Sequence, residues 1–462
     1  MTILKKSRHA GRFLMGAMKL CALLSLGVAC RPAAAAALPP AGGVSENFGV
    51  CLPVHYRPGE LRMIAAAGFR WLRQDFSWQA TEERPGHYDF SAYHTMLRAL
   101  SRYHMRAIWI LGYGNPLYGG EGPYHTPVTP AARRAFCRWV AAAVRQFRGH
   151  GIVWEMWNEP NGTFTPKPWA APPRTKAYIK LALAVGKTIR RLAPHELYIG
   201  PATSGVDVPF LRQCFRAELL RYFDAVSVHP YRPEGPESNY AGPKPGSAGY
   251  RTNVSQEYRS LEALIARHAP VGSHIPVVCG EWGYSSLWKG HRGYHDGRQA
   301  RMLARIFLVN LSQRIPLTIW YEYNDGPNPT DPEHHFGLVH VAYHPGQSEV
   351  HSPKLSYLAA KTLLRQLHDC RFVRRVKVGV PNDWVLLFHG RKGSRLAVWK
   401  TGGKSATVRV PLKPGRWRLT NETGTRMRRV VVPPGGRGIR LTISRDPEYL
   451  ARQHWNSVPS AP

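Results

Sequence analysis

The sequence predicts a (β/α)8 barrel followed by a small C-terminal antiparallel β-sandwich. Between residues 47 and 367, short apolar runs alternate with amphipathic helical patterns, which is typical of a parallel α/β fold. After residue 370 the pattern changes to short alternating strands separated by Gly, Pro, Asn and Asp. A chain of 462 residues is long enough for one large domain and one smaller domain.

Eight strands and eight helices are predicted for the barrel. The strands are 48–51, 71–75, 107–112, 153–157, 198–201, 225–229, 276–280 and 318–322. The helices are 60–67, 88–103, 130–147, 174–193, 209–220, 254–268, 297–313 and 353–367. In a (β/α)8 barrel the active site lies at the carboxyl ends of the strands, so functional side chains are expected there.

The C-terminal region predicts seven short strands without a helix. They are 372–380, 384–389, 395–399, 406–410, 416–420, 427–432 and 439–443. Trp399 and Trp417 alternate within these strands and are expected in the core. The residues after 446 are polar and contain Pro, which predicts a loose tail. The predicted boundaries are therefore 38–370 for the barrel, 371–446 for the sandwich and 447–462 for the tail.

The first 37 residues are typical of an export signal. Five basic residues precede a short apolar stretch at 20–29, and the alanines at 33–37 offer a cleavage site before Leu38. The apolar stretch is too short to span a bilayer comfortably. We expect an exported protein, periplasmic or secreted, that has no stable membrane insertion after signal cleavage. Processing as a lipoprotein at Cys30 stays open.

The chain carries a formal net charge of +34 at pH 7, from 63 Lys and Arg against 29 Asp and Glu. Such a charge favours an anionic partner, for example an acidic polysaccharide. An Arg-rich composition without functional meaning is the alternative. The basic residues are scattered and form no nucleic-acid-binding motif, so no nucleic-acid partner is expected.

Cysteine spacing predicts neither a metal centre nor a disulfide framework. The five cysteines after the signal are odd in number and widely spaced, although one disulfide among them stays possible. They are Cys51, Cys137, Cys214, Cys279 and Cys370. Asp331, His334 and His335 also fit no metal-ligand spacing. We therefore expect no metal, and no motif in the sequence suggests a cofactor.

Two carboxylates stand at the ends of predicted strands. Glu159 follows the fourth strand, directly after Asn158, in the segment 154–162. Glu281 ends the seventh strand and is followed by Trp282. One such carboxyl can protonate a leaving oxygen while the other attacks a sugar carbon or activates water. The pair therefore indicates cleavage of a glycosidic bond.

The Asn158-Glu159-Pro160 motif, together with the second strand-end Glu281, resembles the clan A glycoside hydrolases, in particular family 39 and family 5-like enzymes associated with exopolysaccharides. The resemblance covers about residues 45–370 and implies that Glu159 is the general acid/base and Glu281 the nucleophile of a retaining reaction. Asn158 would then hydrogen-bond the sugar 2-hydroxyl. An acid/base needs a raised pKa, so we expect an apolar, crowded setting for Glu159.

The same resemblance assigns further residues to substrate binding. Arg73 matches the arginine that keeps the nucleophile ionised, and His229 and Tyr231 match floor residues of the site, with Tyr231 donating to the nucleophile. Trp320 resembles the aromatic platform under the sugar, and Trp282 is a further candidate. A plain ion pair for Arg73, a core position for His229 and barrel packing for both tryptophans are the structural alternatives.

Three neighbouring residues have less specific interpretations. Glu155 is expected inside the barrel or in a salt bridge, and Trp157 is expected to pack. Glu322 lies two residues after the eighth strand's tryptophan and either touches substrate or pairs with an arginine. None of the three is expected to carry the chemistry.

The leading hypothesis is an exported, monomeric, retaining glycosidase that cleaves β-linkages in a bacterial extracellular polysaccharide or oligosaccharide, with acidic glycans among the candidate substrates. Long loops at 112–124 and 230–253 favour endo action, although they could equally enclose an exo-acting pocket. The alternatives are an exported plant-cell-wall xylosidase or glucanase, and a catalytically silent protein that binds polyanionic glycans.

Overall fold

The computed structural model describes residues 37–52, 56, 58–119, 126–163, 171–239, 251–287, 295–342 and 350–453. The chain from Ala34 onward forms one compact unit. The predicted export signal, and parts of the loops at 112–124 and 230–253, lie outside the described residues.

Eight parallel strands form a closed barrel, which confirms the predicted fold class. The strands are β1 Phe48–Cys51, β2 Trp71–Ser77, β3 Arg106–Gly112, β4 Val153–Met156, β5 Leu197–Ser204, β6 Ala225–His229, β7 Val277–Trp282 and β8 Thr318–Trp320. Strand β1 pairs with β8 to close the barrel. Every predicted barrel strand lies where the apolar runs placed it.

Ten helices accompany the strands in the described residues. They are α1 Pro58–Ala67, α2 Trp78–Thr81, α3 Ser91–Arg102, α4 Pro130–Phe147, α5 Pro160–Thr163, α6 Ala171–Leu192, α7 Val208–Arg216, α8 Val254–Ala266, α9 Asp296–Ser312 and α10 Leu355–Gln366. Helix α4 begins where Thr129 accepts a hydrogen bond from the Ala132 amide and Pro130 occupies the first turn. Its buried face, which includes Phe136 and Trp139, packs towards the sheet.

Strand β8 is followed by a hairpin that the sequence did not predict. Strands β9, Val339–Ala342, and β10, Val350–Pro353, pair antiparallel before α10 begins. Because each strand is only four residues long, neither produces a clear alternating pattern in the sequence.

The C-terminal region is an antiparallel β-domain, consistent with the predicted sandwich. Its strands are β11 Cys370–Arg375, β12 Asp383–Gly390, β13 Gly393–Lys400, β14 Ser405–Val410, β15 Gly415–Thr420, β16 Met427–Val432, β17 Ile439–Ser444 and β18 Glu448–Arg452. A six-stranded sheet has the order β11-β12-β13-β18-β15-β16, and β14 pairs with β17. The predicted loose tail is therefore wrong for residues 448–452, because β18 lies between β13 and β15.

The barrel and the β-domain share a buried boundary. Trp399 of β13 is fully buried and donates its indole N–H to Oε1 of Glu237 at 2.7 Å. Arg305 of α9 donates to the same carboxylate at 2.9 Å. This contact ties the β-domain to the loop that follows β6.

The five cysteines after the predicted signal are free thiols. Within the described part of the chain, no helix is long and apolar enough to cross a membrane.

Candidate active site

Glu159 and Glu281 converge at the carboxyl edge of the barrel. Glu159 follows β4, and Glu281 is the penultimate residue of β7. One oxygen of each carboxyl and a ring nitrogen of His229 all lie within 4.8 Å of one another. Both carboxyls are largely buried, with 23% and 13% of their side chains exposed. The structure therefore brings together the two residues that the motifs singled out.

The turn that presents Glu159 has an unusual backbone. Trp157 and Glu159 adopt positive φ angles of 66° and 49°. The Glu159 amide donates to the Ala202 carbonyl at 2.9 Å, which fixes the turn against β5. Non-glycine residues in this region cost about 1–3 kcal/mol each and are found mostly at functional sites. The strand end is thus bent to aim Asn158 and Glu159 into the barrel mouth.

Arg73, at the centre of this site, joins most of the predicted residues. Its guanidinium donates to Glu155 at 2.6 Å, to Glu281 at 2.7 Å and to the side-chain oxygen of Asn158 at 2.8 Å. Burial alone would lower the pKa of Arg73, but the adjacent Glu155 and Glu281 outweigh it and raise that pKa well above its ordinary value. Arg73 is therefore a permanent cation that positions two carboxylates and one amide.

Glu281 receives two hydrogen bonds, one on each oxygen. Arg73 Nη1 donates to Oε2 at 2.7 Å, and the Tyr231 hydroxyl donates to Oε1 at 2.9 Å. These two hydrogen bonds fix the orientation of the Glu281 carboxyl group. This is the environment that a nucleophilic carboxylate requires.

His229 contacts Glu159, and its ring orientation defines its proton. Its Nε2 lies 3.4 Å from Nη2 of Arg73, which can only donate, so Nε2 must accept. In the neutral ring the proton then sits on Nδ1, which lies 3.0 Å from Oε1 of Glu159 and donates to it. Burial is the largest single effect and raises the pKa of Glu159, but the contacts with His229 and Ser204 and the charge of Arg73 together lower it overall. The expected raised pKa of Glu159 is therefore wrong.

Gly280 allows these groups to approach one another. A Cβ atom at this position would lie 2.2 Å from the Ser227 hydroxyl and 3.0 Å from Oε1 of Glu155. Any larger residue before Glu281 would displace the buried carboxylate that anchors Arg73. The glycine is therefore needed for close packing inside the barrel.

The predicted aromatic residues are buried. Trp320 and Trp282 have no exposed surface, and the Trp320 indole N–H donates to the Phe336 carbonyl at 3.2 Å. Trp320 therefore presents no open face for a sugar, and packing explains its position. Trp157 is likewise fully buried and lies edge-on to Tyr113, as expected for a packing residue.

Two acidic residues near the site were not foreseen in their observed settings. Asp75, two residues before the end of β2, accepts a hydrogen bond from the Tyr113 hydroxyl at 3.0 Å, and burial raises its pKa. Burial and the nearby carboxyls of Glu333, Glu281 and Asp325 raise the pKa of Glu322 to about 8. Among the described residues the charged neighbours of Glu322 are acids, so its pairing with an arginine, one of the two suggested roles, is not observed there. In the sequence, both residues lie at the ends of predicted strands, 71–75 and 318–322, and this position was the signal that could have pointed to the site.

The Glu159, His229 and Glu281 atoms are close enough to share a cation by distance alone. The Arg73 guanidinium, however, already lies 2.7 Å from Glu281 and 3.4 Å from the His229 ring. It supplies the positive charge that a metal ion would otherwise provide. The arrangement is suited to acid–base and nucleophilic chemistry by the two carboxyls.

The structure is similar to solved glycoside hydrolases over most of its length. A family 39 glycoside hydrolase from the gut symbiont Bacteroides cellulosilyticus WH2 is 25% identical with a TM-score of 0.73, over 88% of this chain and 81% of that chain. A monomeric β-xylosidase from Caulobacter crescentus CB15 is 16% identical with a TM-score of 0.60, over 89% and 97%. A family 30 endoxylanase from Clostridium papyrosolvens C71 is 11% identical with a TM-score of 0.57, over 90% and 98%. No family model and no curated protein sequence matches the chain.

The last two likenesses show the shared fold alone, whereas the family 39 structure adds sequence similarity. Its family and family 30 both belong to clan A, the group that the Asn158-Glu159-Pro160 motif resembles. The fold, the paired Glu159 and Glu281 and the similarity to the family 39 structure together support O-glycosyl hydrolase activity. A carbohydrate substrate follows from that activity.

Proposed function

We propose that the protein is an exported, retaining, endo-acting β-glycosidase that cleaves a bacterial extracellular polysaccharide. The observation that carries the proposal is the approach of Glu159 and Glu281 oxygens to within 4.8 Å. Retaining enzymes hold their two carboxyls about 5–5.5 Å apart, whereas inverting enzymes leave about 6.5–9.5 Å for a water molecule. The short separation favours direct attack by a carboxylate.

In the first step Glu281 attacks the anomeric carbon and Glu159 gives its proton to the departing glycosidic oxygen. The bond to the leaving sugar breaks as the ester to Glu281 forms. In the second step Glu159 takes a proton from water as the water oxygen attacks the anomeric carbon, and the bond from that carbon to Glu281 breaks and releases the carboxylate. Arg73 and Tyr231 hold Glu281 for attack from below the sugar.

Glu159 must carry a proton when the sugar is bound. The His229 contact helps to lower its pKa, and 23% of its side chain is exposed. A sugar in the cleft displaces the remaining water around Glu159, which strengthens the burial effect and favours the neutral acid. Substrate binding therefore prepares the proton donor.

The substrate class rests on charge and on the resemblance to exopolysaccharide-associated enzymes. The excess of Lys and Arg over Asp and Glu favours an acidic polymer. The predicted signal would deliver the enzyme outside the cytoplasm, where we propose that it acts as a monomer. A second candidate is xylan or a related plant polymer, because structural neighbours include a β-xylosidase and an endoxylanase.

Hydrolysis of a panel of acidic and neutral polysaccharides by the mature protein tests the proposal. Product sizes distinguish endo from exo action, and NMR follows the anomer that forms first. We expect turnover with retention that disappears in Glu281→Gln, while a control substitution at exposed Glu83 has no effect. Binding without cleavage by the unsubstituted protein would instead identify a silent glycan-binding protein.

A further inference from the structure

The outer wall of the barrel carries a groove lined by basic residues. Helices α4 and α6 pack side by side, and between them lies a groove of about 960 Å³. Six of its lining residues are cationic: Arg133, Arg134, Arg138, Arg145, Lys187 and Arg191. None of the described residues that line it is acidic.

The basic residues repeat along both helices in register with the helical turn. On α4, Arg134, Arg138 and Arg145 follow one another at intervals of four and seven residues, so they share one face. On α6, Lys187 and Arg191 are four residues apart. The three α4 arginines span about 16 Å at 1.5 Å per residue. The groove is therefore bordered by two rows of cations rather than by scattered charge.

The sequences of α4 and α6 contain no Asp or Glu at all. By contrast, Arg190 on another face of α6 lies 2.6 Å from Asp224 in an ion pair. Arg134, Arg138, Arg145, Lys187 and Arg191 are all exposed. Their charges are thus available to an external anion.

The floor of the groove indicates the kind of anion that fits. Between the basic rows lie small or short side chains, including Ala141, Ala184 and Thr188. Packed helices lie about 8–10 Å apart, so the groove admits a single chain but not a nucleic-acid duplex. Tyr88 is the aromatic residue of the described lining, whereas binding of single-stranded nucleic acid relies on several stacked aromatics. A concave site is also unsuited to a flat bilayer.

One end of the groove lies at the active-site edge of the barrel. Pro130 begins α4, and α4 follows the carboxyl end of β3, so its first turn is at the same edge as Glu159. Gly86 and Tyr88, in the connection after β2, also line the groove. A polymer in the groove would therefore extend from the catalytic face down the outer wall.

We infer that the α4–α6 groove is a secondary binding site for an anionic polysaccharide, separate from the catalytic carboxyls. The rows of cations bind carboxylate or sulfate groups, and the small-residue floor accommodates the sugar rings. The inference takes its ligand class from the proposed function, but its location depends only on the groove. Holding the polymer there raises its local concentration at Glu159 and Glu281.

The test uses alginate as the anionic probe and a Glu281→Gln background, so that binding does not depend on cleavage. The variant Arg134→Gln/Arg138→Gln/Arg145→Gln removes three charges from the groove. The matched control, Arg98→Gln/Arg102→Gln/Arg259→Gln, removes three exposed charges from other helices. Affinity electrophoresis across a range of salt concentrations measures alginate binding, and thermal unfolding verifies that both variants fold.

We expect the groove variant to lose about tenfold in alginate affinity, with a shallower dependence on salt, because fewer counterions are released. The control should lose less than about threefold. Lys187→Gln/Arg191→Gln, on the opposite row, should weaken binding in the same direction. Hydrolysis of a small aryl β-glycoside should be unchanged in the groove variant made without the Glu281 substitution.

Equal losses in the groove and control variants would overturn the inference, since they would indicate diffuse attraction. Tighter binding of a single-stranded oligonucleotide than of alginate, lost in the groove variant, would also overturn it in favour of nucleic acid. If no polysaccharide is hydrolysed but alginate binding still depends on the groove, the proposed catalytic function fails and the inference stands.

Discussion

Nε of Arg73 lies 2.6 Å from Oε2 of Glu155, a carboxylate that has no exposed surface. Ser227 donates a second hydrogen bond to Glu155 at 2.6 Å. Glu155 therefore remains a counter-ion for the buried guanidinium when Glu281 is bonded to a sugar and has lost its charge. The position was expected to be buried or salt-bridged, and the structure confirms both.

Glu155→Gln should therefore destabilise the protein. Removing one partner of a buried ion pair costs about 3–5 kcal/mol. Because Arg73 keeps its contact with Glu281, we expect a loss of about 3 kcal/mol in the free energy of unfolding. Urea denaturation measures it. The matched control is Glu218→Gln, whose ion pair with Arg221 is mostly exposed and should contribute less than about 1 kcal/mol. Similar losses for both variants would show that Glu155 is not an electrostatic anchor.

Tyr231→Phe should slow the reaction without unfolding the protein. The lost hydrogen bond, 2.9 Å to a charged carboxylate, is worth about 1.5–3 kcal/mol. If that bond positions Glu281 for attack, kcat/KM falls about 10- to 100-fold while Tm changes by less than a few degrees. Tyr357→Phe, which removes a hydrogen bond to the Met63 carbonyl on α1, should leave kcat/KM unchanged. Unaltered kinetics in Tyr231→Phe would remove Tyr231 from the site.

His229→Ala should shift the alkaline limb of the kcat/KM profile to higher pH. The His229 Nδ1 proton stabilises the ionised form of Glu159 and lowers its pKa. Without that donor the pKa of Glu159 rises, so the acid keeps its proton at higher pH. The pH profile of the free enzyme measures the shift, and His268→Ala on the distant α8 end is the control. A shift to lower pH would contradict the assigned tautomer.

The titration of Glu322 should make the free energy of unfolding depend on pH. Its pKa is raised to about 8, so the folded state keeps a proton on it that the unfolded chain has lost. The folded state then binds more protons above the ordinary glutamate pKa, and its stability falls as pH rises towards 8. Glu322→Gln should cancel this loss, so the variant gains stability relative to the unsubstituted protein between about pH 5 and about pH 8. Urea denaturation of both proteins at these two pH values measures the difference, with exposed Glu83→Gln as the control. If the difference in free energy of unfolding between Glu322→Gln and the unsubstituted protein is the same at both pH values, Glu322 does not titrate in this range.

The barrel and its two carboxylates could be predicted because their signals are local. Most strands contain a short apolar run, and Glu159 and Glu281 lie close after such runs. The pKa of Glu159 could not be predicted, since it depends on a ring nitrogen supplied by β6, 70 residues away. The burial of Trp320 could not be predicted either, because tertiary packing decides whether a ring at the end of a strand faces a cleft or a core.

The tail was mispredicted because β18 is short and polar at both ends. Glu448 and Arg452 flank the apolar Tyr449, Leu450 and Ala451, and nearby Asp446 and Pro447 resemble a loop. Its strand character comes from pairing with β13 and β15 on its two sides, which are contributed by residues far earlier in the chain. Local propensity is a weak guide in such a case.

Leu450→Ala should therefore destabilise the β-domain strongly. Leu450 has no exposed surface and lies opposite Leu396 of β13 and Leu419 of β15. Truncating a fully buried leucine costs about 2–5 kcal/mol, because apolar contacts are lost and a cavity remains. Arg452→Ala, at the exposed end of the same strand, should cost less than about 0.5 kcal/mol. Thermal and urea unfolding of the two variants measure the difference. If Leu450→Ala proves as mild as Arg452→Ala, β18 is not a central strand, and the sheet order of the domain must be revised.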